Sequence, residues 1–289
     1  MQQPASLLFP EPALALLEQH LGGQVREAPA EAIAGSTNLV ARLWLADDSF
    51  AVRVPRLEAG FLAVDRHAEC AALDAAASAG LTPEVLVCEA ASGMLITRWI
   101  EGKPWTAQRA REPDAIHLAA DALTRLHAVP PPLGARSLAP LPLLGNYWKL
   151  VATRAASVAS RLQSVHACVL ARAAEVQGGS AVFCHADLHH RNLIEAEGLR
   201  LLDWEYAGIA ETYFDLASFA QSNDLAPEER ALLLEAYGTT VEDAERLALY
   251  CLLFDWICVL WWAMTGASEH APDRPRFEAL VQRVKAAVE

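Results

Sequence analysis

The chain has 289 residues, of which 53% are hydrophobic and 20% charged, with a formal charge of −13. That is apolar area enough for one large core or two modest ones and excludes extended disorder, while the acidic balance excludes the clustered Lys and Arg that nucleic acid or an anionic membrane surface requires. The six cysteines (Cys70, Cys88, Cys168, Cys184, Cys251 and Cys258) are scattered without a C-x-x-C pair, so neither a zinc ribbon nor a disulfide framework is expected and the thiols read as reduced and mostly buried.

No basic residue precedes Arg26, so the beginning lacks the charged region of a signal peptide. In chain order, residues 11 to 21 have helical periodicity. Gly35-Ser36-Thr37-Asn38 then forms a turn before two alternating runs, NLVARLWL and SFAVRVP, which predict an antiparallel hairpin around Asp47-Asp48-Ser49. Residues 61 to 79 predict a helix that Gly80 and Pro83 terminate. Short strands follow near 84 to 89 and 94 to 99, across the Ala91-Ser92-Gly93 turn. The first 99 residues therefore read as a small antiparallel sheet with one main helix.

From residue 100 onward the pattern is mainly helical, with segments at 113 to 128, 146 to 175, 226 to 238, 241 to 265 and 273 to 288. The proline-rich stretch from Pro130 to Pro142 reads as a surface connector. The apolar run Tyr250 to Met264 is broken by Asp255 and is shorter than the ~20 residues of a membrane helix, so a soluble cytoplasmic protein is expected. One β-like island, residues 181 to 202, interrupts the helices. These features predict an α+β fold of two lobes, residues 1–99 and 100–289.

The island carries the chemistry. In AVFCHADLHHRNLIEAEGLRLLDWEYA the apolar runs read as strands, and His185, Asp187, Asn192 and Asp203 fall where strands end. A turn over Glu195 to Gly198 brings Asn192 and Asp203 to neighbouring positions. Two carboxylates and an amide suit phosphoryl transfer, which needs hard oxygen ligands for magnesium and a carboxylate to orient and deprotonate an attacking hydroxyl.

HADLHHRN followed by LLDWEYA resembles the catalytic and metal-binding segments of the aminoglycoside phosphotransferase and choline kinase family, which has the two-lobed protein-kinase-like fold; the DWEYAG form is most similar to its choline, ethanolamine and thiamine kinase branch. The resemblance implies ATP and Mg2+ as cofactors and a small-molecule alcohol as substrate. It implies Asp187 as the base, His185 as a buttress of its loop, Asn192 and Asp203 as metal ligands, and Asp215 as a structural brace. In the first lobe, GSTN (Ser36, Thr37, Asn38) is similar to the nucleotide-covering loop, Arg53 stands at the phosphate-pairing cation and Glu69 at its helical partner. The backbone of Arg98 to Ile100 would meet adenine at the interlobe linker.

Taken alone, Arg53 reads as a charge on a strand, Glu69 as a solvated helix residue and GSTN as an Asx turn; joint spacing lifts them into a site. A different class of function, a metal-dependent hydrolase, would use His185, Asp187, His189 and His190 as a zinc cluster, although adjacent histidines on an extended segment face opposite ways. A protein kinase is disfavoured because DWE stands in place of DFG and no A-P-E segment follows. Trp204, Glu205, Asp255 and Trp262 suggest an acceptor site for a cationic alcohol such as choline, ethanolamine or thiamine, with an aminoglycoside or sugar as the alternative acceptor. Oligomeric state is left open.

Overall fold

The computed structural model describes residues 2–33, 38–56, 62–176, 179–239, 243–265 and 274–289. The chain opens with β1 (Gln3–Pro4), the single turn α1 (Ala5–Leu8) and α2 (Glu11–Leu21), followed by β2 (Pro29–Ile33). The expected hairpin is β3 (Asn38–Leu45) and β4 (Asp48–Pro55), with Asn38 opposite Pro55 and Leu45 opposite Asp48. Then come α3 (Arg66–Ser78), β5 (Val85–Glu89) and β6 (Met94–Arg98). Helix α3 starts later than residue 61 because the Asp65 carboxylate caps it, accepting the His67 and Ala68 amides at 3.0 and 3.1 Å.

The sheet is antiparallel, in the order β1-β2-β3-β4-β6-β5. Period-two alternation divides β4 between two environments. Phe50 and Val52 join Leu14, Leu17, Leu43 and Ile96 in a core under α1 and α2. Arg53 falls on the opposite face, where α3 lies.

The second part is helical: α4 (Pro113–His127), α5 (Pro140–Arg154), α6 (Ala156–Ala173), then α7 (Thr212–Ser222), α8 (Pro227–Tyr237), α9 (Ala244–Met264) and α10 (Arg274–Val288). The single helix expected over 146 to 175 is two helices, broken at Ala155 (φ −138°, ψ 57°). The first starts at Pro140, inside the stretch read as connector, because proline is tolerated in the first turn, where the missing N–H has no partner to lose. Two ribbons lie between α6 and α7: β7 (Ala181–Cys184) pairs with β10 (Gly208–Glu211), and β8 (Leu193–Ala196) with β9 (Gly198–Leu201).

Two further expectations change. Helix α9 spans 21 residues and is long and apolar enough to cross a membrane, but 67% of its apolar window is buried inside the fold, so its hydrophobicity serves a core. Cys70 and Cys88 form a disulfide, because α3 lies along β5 with these Cα atoms 5.6 Å apart; a separation of 18 residues in sequence carries no sign of that contact. Of the four free cysteines, Cys184 and Cys251 are buried while Cys168 is exposed.

The larger core gathers apolar residues of α4 to α10 and also takes Ala72, Leu73, Ala76 and Leu81 from α3 and the turn after it. The main helix of the first hundred residues thus packs with the helical part and faces the sheet with its charged side.

Candidate active site

Strand β7 ends at Cys184, and the turn that follows is fixed from below by Asp215 in the first turn of α7. The fully buried Asp215 carboxylate accepts the His185 amide at 2.9 Å and the Ala186 amide at 2.7 Å, and His127 Nε2 lies 3.2 Å away. The His185 ring bridges two loops: its Nε2–H donates to the Leu202 carbonyl at 2.9 Å and its Nδ1 accepts the Asp187 amide at 3.2 Å. A carbonyl can only accept and an amide can only donate, so the tautomer is set. Burial pushes the imidazole pKa down to about 4, which keeps it neutral.

Ala186 and Asp203 both have positive φ, 68° and 63°, a conformation that costs a residue with a Cβ about 1–2 kcal/mol. This strain sits at the two loops that carry the carboxylates. The β8–β9 ribbon, with Leu193 opposite Leu201, brings those loops together, and the Leu202 amide donates to the Asn192 carbonyl at 2.8 Å. The Asn192 side-chain Nδ2 donates to the Asp187 carbonyl oxygen at 2.9 Å and to its carboxylate at 3.2 Å.

Burial pushes the Asp187 carboxyl up to about 7, helped by the charge of Asp203 and opposed by the Asn192 hydrogen bond. Burial also raises Asp203, against the pull of Arg53. With the Asn192 N–H engaged by Asp187, its amide oxygen and the Asp203 carboxylate offer the hard donors a magnesium ion takes. The residues present fit such an ion.

Arg53 reaches this cluster from β4. Its guanidinium binds Glu69 of α3 bidentately, with Nη2 to Oε2 at 2.8 Å, and lies 3.4 Å from Asp203. Burial alone would raise Glu69, but Arg53 and Arg66 overcome it and hold the carboxyl below its usual range. Arg66, which sequence reasoning did not single out, bonds Glu69 at 2.7 Å and Glu205 at 3.0 Å. Its three-residue spacing from Glu69 on a helix was the available signal.

Of the nucleotide-loop residues, Ser36 and Thr37 lie outside the described residues, and Asn38 is buried at the start of β3. The Arg98 amide is taken by the Glu84 carbonyl at 2.8 Å, and its side chain turns outward to Asp48 and Glu84. The Arg98 backbone N–H is therefore already engaged, and Ile100 continues the linker beyond it.

A cavity of about 580 Å³ opens beside Asp187 and His189. Tyr147, Tyr206, Trp261 and Trp262 line it, together with Arg136 and Asp255. Two of the four residues expected there lie elsewhere. Trp204 is buried, stacked on Phe183 with centroids 5.8 Å apart, and its Nε1–H donates to Leu201. Glu205 is buried against Arg66 on the Arg53 side, where burial and the Asp203 charge push it up to about 7.

Asp255 reaches the cavity wall, but its carboxylate already accepts from Gln221 and from Arg283, each at 2.6 Å. Tyr147 was missed because it sits at the very start of the helix expected from residue 146, where nothing marks the face it presents, and Arg136 because it lies on the stretch next to the prolines read as connector.

The histidines do not assemble a metal cluster. Both ring nitrogens of His185 are engaged, His189 Nε2 lies 3.8 Å from Asp187, and His190 turns to Asn223. Among the described residues, the group whose atoms approach one another closely enough to hold an ion is His127, Cys184 and Asp215, behind the loop. There Asp215 is committed to two amides, and burial raises the Cys184 thiol well above its usual range, away from the thiolate a metal would need.

Comparison with known proteins bears on the family and the fold. LicA of Haemophilus influenzae is 27% identical over 233 residues, 79% of this chain and 66% of that protein, so the chain spans just under two thirds of that relative. A choline/ethanolamine kinase family protein from Mesorhizobium loti is 25% identical, with a TM-score of 0.74 over 96% of this chain and 94% of that one. Two LicA structures, each 21% identical, share the fold: choline kinase LicA from Streptococcus pneumoniae (TM-score 0.75, 90% of this chain and 92% of that one) and LicA in complex with AMP (TM-score 0.76, 96% and 98%). The sequence profile of the phosphotransferase enzyme family matches residues 30–250. Because that match takes in both the strand bearing Arg53 and the loop bearing Asp203, across well over half of the chain, this protein belongs to the phosphotransferase enzyme family.

Proposed function

We propose that this protein transfers the terminal phosphoryl group of ATP, with Mg2+, to the hydroxyl of a small cationic alcohol of the choline, ethanolamine or thiamine kind. One observation carries the reading: the Asp187 carboxylate stands at the mouth of an aromatic cavity, held by Asn192 and backed by the Asp215 brace. A carboxyl with its pKa near neutrality is suited to accept the proton of an acceptor hydroxyl. Asn192 and Asp203 would hold the Mg2+, which neutralises charge on the nucleotide phosphates. Arg53, braced by Glu69, would bind phosphate oxygens.

Two features support a cationic acceptor. The Mesorhizobium loti relative is a choline/ethanolamine kinase family protein. The cavity's rings already carry cations within the chain itself: Arg136 lies 5.5 Å over Tyr206 and Arg276 5.6 Å over Trp262. Since Arg283 neutralises Asp255, attraction for the acceptor would come chiefly from these aromatic faces. In this proposal residues 1–99 cover the nucleotide, residues 100–289 supply the base, metal ligands and acceptor cavity, and the setting is the cytoplasm.

The test is ADP release with choline, ethanolamine, thiamine, amino sugars and aminoglycosides, beside Asp187→Asn. One of the cationic alcohols should turn over, and the variant should lose about 10²–10⁴ in kcat while still binding MgATP. Full turnover by Asp187→Asn, or turnover of sugars alone, would contradict the proposal.

A further inference from the structure

Helix α3 is held by two sets of contacts that belong to different parts of the molecule. On one side Ala72, Leu73 and Ala76 pack into the large core, the Ala79 carbonyl accepts from Arg125 of α4 at 2.7 Å, and the Leu81 carbonyl accepts the Leu201 amide of β9 at 2.7 Å. On the other side, toward the sheet, it is held by the Glu69–Arg53 pair and by the Cys70–Cys88 disulfide to β5, the edge strand.

Cys70 directly follows Glu69. The disulfide is therefore a covalent link between a helix seated on the helical part and a sheet that carries the nucleotide-facing arginine, placed one residue from the carboxylate that positions that arginine. Both of its cysteines are half-buried, within reach of a small thiol.

We propose that Cys70 and Cys88 form a redox-modification site that sets the affinity for nucleotide by fixing α3, and with it Glu69, against the sheet. The inference rests on the reading of Arg53 as the phosphate-binding cation. A dithiol reductant opens the bond, giving two electrons and two protons to yield two thiols and leaving as its own disulfide; a disulfide oxidant reverses the exchange. Once the bond is open, α3 follows the helical part and the sheet moves independently, so the Arg53–Glu69 pair is aligned for a smaller share of the time. In a reducing cytoplasm the open form prevails, and oxidation raises affinity for nucleotide.

The test uses the full chain with the exposed Cys168 changed to Ser, equilibrated in reduced and oxidised glutathione. Thiols are counted by alkylation and mass, MgATP affinity is read by calorimetry, and turnover is read in the same samples. The oxidised chain should protect two thiols and bind MgATP about fivefold or more tightly than the reduced one. Cys70→Ser with Cys88→Ser should hold the reduced value in both buffers.

Equal affinities in the two buffers, no protected thiols after oxidation, or a double variant that still responds would each overturn the proposal. Turnover at an affinity that ignores redox state would refute the switch alone, whereas absence of both MgATP binding and turnover would refute the kinase reading with it. Oxidation at Cys258 is distinguished because that residue lines the acceptor cavity, so it would shift the KM for acceptor, not the affinity for MgATP.

Discussion

Each ionisable group around Asp187 is pushed by burial toward neutrality and pulled back by a named partner. Asp187 is balanced between desolvation and Asn192, and Glu69 is won over to the charged form by two arginines. At His185 the pull of Asp215 and of the Leu202 carbonyl is outweighed, and burial keeps the ring neutral. Its pKa is about 4 in the folded chain against 6.5 unfolded, so between these values the unfolded chain binds more protons and stability falls as pH falls. The full effect is up to about 3 kcal/mol. Denaturant melts at pH 7 and 4.5 should show a larger loss for the wild type than for His185→Gln; parallel losses would contradict this account of the ring.

The same balance explains what could be read from residues alone. His185, Asp187, Asn192 and Asp203 declared themselves through spacing, since two loops joined by a short ribbon must meet. Trp204 and Glu205 misled because adjacency to Asp203 says nothing of direction. The left-handed backbone at Asp203 turns the next two side chains inward, Trp204 onto Phe183 and Glu205 onto Arg66.

At the level of elements, β10 is the part the sequence hid best, being four residues long and visible only through its pairing with β7. It also docks the 136–138 segment, with the Ile209 amide donating to Arg136 at 2.8 Å and the Leu138 amide to Ile209 at 2.9 Å. A Cβ on Gly208 would stand 2.6 Å from the Arg136 carbonyl oxygen, closer than any real contact. Gly208→Ala should therefore push that segment and the Arg136 side chain out of the cavity wall. The expected result is a KM for acceptor raised several-fold, by about 1 kcal/mol of lost binding, with the KM for ATP unchanged. Equal rises in both would mean a general loss of fold.

Helix α3 shows the other limit of sequence reading. Its existence was legible from periodicity and Gly80 and its glutamate from the family resemblance, but its allegiance was not, because small residues such as Ala72 and Ala76 fit either core. Only the packing reveals that it joins the helical part. The split of α5 from α6 was hidden for a related reason, since a break at Ala155 leaves no Gly or Pro to mark it.

Across the whole molecule, the sheet brings an arginine, the helical part brings two carboxylates and an amide, and α3 mediates between them. The account stands on these groups meeting at one divalent ion and one nucleotide. The most direct test is calorimetric titration of Asp203→Asn with ATP in the presence and absence of Mg2+. Asp203→Asn should lose the gain in affinity that Mg2+ gives the wild type, while its metal-free ATP affinity changes little. An Asp203→Asn chain that binds MgATP as tightly as the wild type would contradict the account.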